Sequence, residues 1–283
     1  MSLEAVKALL RDVENNWENR NTDNIFELLK VAKQEAVRCG DQEKAKYIWC
    51  LEQTTKTQDM FIHAFKENKQ GKFYNGWCSL ERVEGLAAML GRHLPSPLMD
   101  DFKIHFINTH TQRFQSIYPY GIFISPEFVK QKIYCSICDA RISPRSHCGH
   151  DPGEIYDGEM CGRIIKSAEV AALAMVKNPV QKYSVPFMTN PKTKETEDQY
   201  NYGVVKYLVR ALASPFHEWD ITKETRRHPH SRFKDVGRNG KCPCESGKKY
   251  KLCCLPTEGV LRPHIQFHFS VEPPAEVIKR EYI

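Results

Sequence analysis

Gly237-Arg238-Asn239-Gly240-Lys241-Cys242-Pro243-Cys244-Glu245-Ser246-Gly247-Lys248-Lys249-Tyr250-Lys251-Leu252-Cys253-Cys254 is the stretch around which the C-terminal part of the chain must be organised. Two thiols flank one proline, eight residues intervene, and two adjacent cysteines follow. A Cys-x-Cys turn aims both sulfurs into one hollow, and the Ser246-Gly247 turn reverses the chain to bring the second pair round. Four sulfurs at about 2.3 Å from an ion make the closed tetrahedral site that zinc prefers. A closed site has no open position for water. The spacing therefore predicts a structural zinc on Cys242, Cys244, Cys253 and Cys254, which does no chemistry of its own.

A second group lies upstream. Cys135-Ser136-Ile137-Cys138 is followed by Cys148-Gly149-His150-Asp151-Pro152-Gly153 and then by Tyr156-Asp157-Gly158-Glu159-Met160-Cys161. Cys-x-x-Cys is a common zinc knuckle. His147, Cys148, His150 and Cys161 then compete for two remaining positions. A redox role for Cys135 and Cys138 would call for a thioredoxin-like βαβ context, which the surrounding sequence lacks.

Both groups carry resemblances. Residues Gly237-Arg238-Asn239, Cys242-Pro243-Cys244, Ser246-Gly247-Lys248-Lys249-Tyr250-Lys251 and Cys253-Cys254 resemble the SEC-C motif, the zinc-binding tail of the SecA preprotein-translocase motor. The last ligand of that family is histidine or cysteine, here Cys254. Position 245 departs from the pattern, with glutamate where the family usually has glycine. For the SecA tail the resemblance implies contact with a chaperone and with ribosomes. The upstream group looks like a cysteine-rich insert of phage-type and mobile-element proteins, with Cys-x-x-Cys, then Cys-x-His-x-Pro-Gly, then Tyr-x-Gly and a further cysteine. That resemblance implies Cys135, Cys138, Cys148 and His150 as ligands, with Cys161 just behind them or replacing one. Two zinc ions per chain are expected.

Composition sets the frame. The chain has 283 residues, 41% hydrophobic and 27% charged, the mix of a folded protein rather than a disordered one. No window approaches the roughly 18 apolar residues of a membrane span. The start, Met1-Ser2-Leu3-Glu4-Ala5, lacks a basic segment followed by an apolar one, so a cytoplasmic protein is expected. Eleven cysteines are many for a reducing compartment, and eight of them fall in the two groups above, which favours metal over disulfides. The formal charge is +6, and from Ile221 to Cys254 ten basic residues face only Glu224, Asp235 and Glu245. Such a stripe favours acidic partners, either a phosphate backbone or an acidic protein face.

The first 115 residues read as helical. Leu3, Val6, Leu9, Leu10, Val13 and Trp17 form one stripe capped by Ser2. Thr22 or Asp23 caps a second helix that Gly40 stops, and a third runs from about Asp41 to Asn68. Ser79 to Leu90, closed by Gly91, and Ser96 to about Gln112 follow. Ser116 to Pro126 reads as strand and turn. Ser167 caps a helix through Val176, Val180 to Met188 is extended, and Glu197 to Ala213 is helical. Pro215 to His230 is irregular, and Ile265 to Val271 alternates as a strand. The expected fold is mainly α, with a few short strands and two small zinc-stabilised modules. The expected domains are 1–115 helical, 116–220 zinc cluster with α+β structure, 221–258 basic knuckle and 259–283 terminal strand and tail. The knuckle is expected as an exposed head on a tether from Glu224 to Val236.

No phosphate-binding glycine loop, Gly-x-Ser-x-Gly elbow or His-Glu-x-x-His helix is present. His63, His93, His105 and His110 are dispersed, and they fit core or surface roles better than catalysis. The same holds for Tyr74, Trp77, Tyr118, Tyr120 and Phe123, and for His264 and His268. No catalytic or organic-cofactor residue is therefore assigned. The preferred function is an adaptor docking RNA or a protein complex of ribosome or chaperone type through its basic C-terminal region. The alternative is a nucleic-acid-processing or toxin/defence-type enzyme with the zinc modules as accessories.

Overall fold

Local signals govern the first third of the chain. The computed structural model describes residues 2–278. Ser2 Oγ accepts from the Ala5 N–H at 3.2 Å and opens α1 (Leu3–Arg11). The stripe expected to be one helix bends at Asp12 and resumes as α2 (Val13–Asn16). Asn21, one residue before the expected caps, starts α3 (Thr22–Arg38) by accepting from Asn24 N–H. Gly40 sits at φ +72, and the Asp41 N–H bonds back to Ala36 O, which ends the helix as the glycine predicts.

The central element is α4 (Gln42–Lys69), in which Ile48, Leu51, Phe61, Ala64 and Phe65 are buried. It is followed by α5 (Phe73–His93), which begins six residues before the expected Ser79 and runs past Gly91. The helix expected from Ser96 to Gln112 is two helices, α6 (Ser96–Asp101) and α7 (Ile104–Gln115). The break is Lys103, held at φ +59, a conformation no helix continues through. Trp77 packs against Tyr118, Tyr120 and Phe123, so these aromatics form core rather than a pocket wall.

Beyond residue 120 strands dominate, and the chain is mixed α/β rather than mainly α. Strand β1 (Phe123–Cys135) pairs on one side with β2 (Arg141–Ile142) and on the other with β5 (Arg163–Val176). Between them lie β3 (Ile155–Tyr156) and β4 (Glu159–Met160), a small hairpin. The expected Ser167–Val176 helix is thus the second half of β5. Its alanines suit a helix, but nine of its ten residues pair with β1 and hold it extended, and tertiary pairing overrides so weak a preference. Val180 to Met188 is largely irregular and leads into β6 (Met188–Thr189), paired with β7 (Thr196–Glu197).

The next helix, α8 (Gly203–Ala211), starts six residues after the expected Glu197. Asp198 and Asn201 cap turns instead, accepting from Tyr200 and Gly203 N–H groups. Strand β8 (Trp219–His228) replaces the expected irregular segment and pairs with β9 (Val260–Phe269), which begins five residues before Ile265 and stops two before Val271. A short α9 (Ala275–Ile278) follows. By proximity of backbone the chain divides into two units, Met1–Phe216 and His217–Ile283. Among the described residues no helix is long and apolar enough to cross a membrane.

One side chain ties the helices together. Gln58 is fully buried on α4, and its Nε2 donates to Leu10 O and to Phe102 O, each at 2.8 Å. Its Oε1 accepts from the buried Arg20 at 2.6 Å. Gln58→Ala strands two carbonyls and part of a guanidinium without water, and should destabilise the helical unit by about 3 kcal/mol. Urea unfolding followed by helical circular dichroism measures it; a loss under about 1 kcal/mol would show that the bonds are replaceable.

Candidate metal centres

The upstream group grows from the end of a hairpin. Cys135 closes β1 and pairs with Arg163, the first residue of β5, so residues 136–162 are one excursion from that end. The Cys135 N–H bonds to Ala140 O and Asp139 N–H to Cys135 O, which folds Cys-Ser-Ile-Cys into a tight turn. The Ile137 N–H points at Cys135 Sγ, 3.4 Å away. Gly149, at φ +85, turns the chain between Cys148 and His150. The ligand atoms of Cys135, Cys138, Cys148 and His150 consequently all lie within 4.8 Å of one another.

The donors suit a cation. His150 Nδ1 is buried with no hydrogen-bond partner, which is costly for a nitrogen that binds nothing. The ring of Tyr156 stands edge-on to His150 at 4.6 Å and fixes its plane. Burial works to raise the Cys135 thiol, but N–H groups of Cys138 and Ile137, with the Cys148 and Cys161 thiols, bring it down to about 6. Cys161 stands outside the quartet. Its sulfur is 3.8 Å from that of Cys135 and accepts from Arg163 Nη1 at 3.6 Å, while Arg163 Nη2 donates to His150 O at 2.9 Å. Burial pushes the Cys161 thiol up. Arg163 therefore braces both the histidine and this fifth sulfur.

The downstream group closes the other long hairpin, β8–β9. Here the Cys242 N–H bonds to Lys248 O and the Tyr250 N–H to Gly240 O, so two short segments lie side by side. The reversal uses left-handed residues at Glu245, φ +63, and Gly247, φ +75. Cys242, Cys244, Cys253 and Cys254 place their sulfurs within 4.8 Å of one another. Two of the separations are 3.5 Å and 3.9 Å, near the roughly 3.8 Å edge of a tetrahedron of about 2.3 Å bonds. Bonds from the Ser246 hydroxyl and N–H and from Cys242 lower Cys244 to about 6. Burial drives Cys254 up to about 12 against the opposing Leu261 N–H. Four thiols so close cannot all ionise unaided; a divalent cation removes that conflict.

A small core sits behind these sulfurs. Cys242, Tyr250, Cys254 and Val260 are buried, with Phe233, Val236 and Leu255 against them. His230 Nε2 donates to Thr257 O at 2.7 Å, so its Nδ1 accepts from the Tyr250 hydroxyl at 2.6 Å. Gly259 passes so close to His228 O that an added Cβ would lie 2.5 Å from it. The expected tether from Glu224 to Val236 is instead regular structure: residues 224–228 belong to β8, and His230–Phe233 is a turn of 3-10 helix.

Comparison with known proteins agrees with this geometry. Residues 238–256 match the SEC-C motif. Over 90 residues the chain is 36% identical to the protein translocase subunit SecA of Carboxydothermus hydrogenoformans, a match covering 28% of this chain and 10% of that protein. The chain thus spans about a tenth of the relative's length. No solved structure matches it.

Several supporting residues carry no sequence signal. Lys33 bridges Glu52 and Glu159 at 2.8 and 2.7 Å, Gln42 bonds Asp157, and His93 Nε2 donates to Gly153 O. These contacts seat the upstream loop on α3, α4 and α5, and only long-range folding brings them together. Tyr156 was visible as part of the Tyr-x-Gly turn, though not its contact with His150. His105 pairs with Asp100, and the buried His110 donates to Phe106 O. His264 lies by Arg226, and His268 by Thr222.

Two measurements test the sites. His150→Ala should lower the metal content by about one ion per chain, while Cys161→Ser should leave it unchanged, as read by elemental mass spectrometry. The reverse pattern would make Cys161 the ligand. Glu245→Gly removes left-handed strain of about 1–2 kcal/mol and an exposed ion pair to Arg262 worth less. Metal release from the SEC-C knuckle to a competing chelator should become about fivefold harder; easier release would show that the Arg262 pair decides.

Proposed function

We propose that this chain is a cytoplasmic adaptor that holds two structural zinc ions and docks an acidic partner, RNA or a protein complex of ribosome or chaperone type, through its SEC-C knuckle. One observation carries the reading. Arg238, Lys241, Lys248, Lys249 and Lys251 are all exposed on a knuckle whose thiols turn inward onto a single point. Zinc would serve as its core, since so small a loop buries too little apolar surface to fold alone. Both sets have closed, thiol-rich ligand chemistry, which suits a structural ion over a catalytic one. The SecA likeness supports the same region as the one that meets partners.

A second reading, a nucleic-acid-processing or toxin/defence-type enzyme, draws on a cleft of about 680 Å³ beside α3 and α4. Lys30, Lys33, Lys56, Glu27, Glu52, Asp157 and Glu159 line it. Lys33, Glu52 and Glu159 are engaged with each other: burial works against the Lys33 ammonium, but Glu159 and Glu52 hold it protonated. Such a group clamps a loop and abstracts no proton, which leaves the adaptor as the better reading.

The test is capture from lysate with and without RNase, followed by salt titration. If RNA is the partner, RNase abolishes capture, and the triple change Lys248→Gln, Lys249→Gln, Lys251→Gln lowers the slope of log affinity against log salt by about two to three. Capture that survives RNase assigns a protein partner. Capture unchanged by the triple variant overturns docking through the knuckle.

A further inference from the structure

Strand β5 has a free outer edge. The order β2-β1-β5 leaves its far side unpaired, and among the described residues no segment bonds to it. A row of open N–H and C=O groups is a template for another strand. Soluble proteins usually protect such an edge with charge or proline. This one does the opposite over Val170-Ala171-Ala172-Leu173-Ala174-Met175-Val176, seven residues with no charge, glycine or proline. Val170, Leu173 and Met175 are 61, 69 and 72% exposed.

The flanks choose the occupant. Glu169 precedes the run and Lys177 follows it. If a second copy lies antiparallel about a two-fold axis at Leu173, Glu169 falls opposite Lys177 of the other chain, and Lys177 opposite its Glu169. The same register sets Val170 against Val176, Ala171 against Met175, Ala172 against Ala174 and Leu173 against itself. Every pair within the run is apolar, and the only charged pairs are of opposite sign. A parallel neighbour would set Glu169 on Glu169 and Lys177 on Lys177. The bulge in β5 between the Glu127 and Phe128 registers bends the ribbon, and a two-fold axis applies the same bend to both copies.

We propose that β5 is a homodimer interface: two chains join antiparallel along residues 169–177, so that two ribbons become one continuous sheet, capped at each end by a Glu169–Lys177 pair. Cross-strand pairs of opposite charge stabilise such a register and like charges oppose it. The interface depends on pairing over eight residues of β5 and Lys177 just past its end, a small area, so the dimer should be concentration-dependent.

The experiment is sedimentation velocity on the full metal-loaded chain over a wide concentration range. The expected result is a shift towards twice the chain mass as concentration rises. Leu173→Glu sets two carboxylates on the axis and should leave monomer only. Its side chain is exposed in the single chain, so circular dichroism and melting temperature should not change. Glu169→Lys alone and Lys177→Glu alone should each weaken the dimer about tenfold, and the double exchange should restore it. A chain that stays monomeric throughout overturns the proposal. So does a dimer that survives Leu173→Glu, or an exchange that fails to restore association.

Discussion

Two antiparallel strands stay paired only if something holds their ends about 5 Å apart, and a two-residue turn does this at least entropic cost. Neither long ribbon of this chain has one. Residues 136–162 separate β1 from β5, and residues 229–259 separate β8 from β9. Closing a connection of that length costs entropy that an isolated two-stranded ribbon can barely offset. In both, the connection is gathered by a four-donor set at the ribbon's end. Cys135 ends β1 and Cys254 is met by the Leu261 N–H of β9, so an ion held by either set would fix the register as well as the loop. The strands and the cysteine sets are thus one device used twice.

The two uses differ in what surrounds them. The upstream loop is seated on helices by Lys33, Gln42 and His93, and Arg163 joins its histidine to the start of β5. Its backbone has little freedom to meet a partner. The SEC-C knuckle leans instead on its own ribbon: Val260 enters its core, Arg262 Nη1 donates to Pro243 O, and the Leu261 N–H reaches Cys254. Everything it needs lies within residues 217–283, and its lysines stay outside. The same donor chemistry is therefore seated on helices in one place and on its own ribbon in the other.

The sequence was most legible where structure is local. The helix cap at Ser2, the helix start near Asp41, the stop at Gly40 and the clustering of thiols all depend on neighbours within a few residues. It was least legible where pairing is long-range. Ser167 to Val176 has a cap residue and alanines, and nothing within it names β1 as its partner. Lys223 to Arg227 shows no apolar alternation, because β8 is held by β9, forty residues away in sequence, and not by a buried face of its own. Glu245 is the instructive intermediate. Its departure from glycine was visible, and the structure gives the physical reason glycine is usual there, a φ of +63.

Charge would limit how the knuckle could meet an acidic partner. A divalent ion in a four-thiolate set leaves a net charge of −2, and in a three-thiolate, one-imidazole set −1. The formal charge of +6, counted with neutral thiols, would fall by half on loading both. Metal binding thus weakens the long-range pull on a polyanion while it sharpens the short-range one. Without an ion, the loop that carries Arg238, Lys241, Lys248, Lys249 and Lys251 would rest on its own few hydrogen bonds and small core, and each contact would also bear part of the cost of ordering it. With the ion they are held at fixed spacing around a buried negative centre. An acidic partner would then gain from geometry rather than from net charge, and discrimination would rest on how well its anions match that spacing.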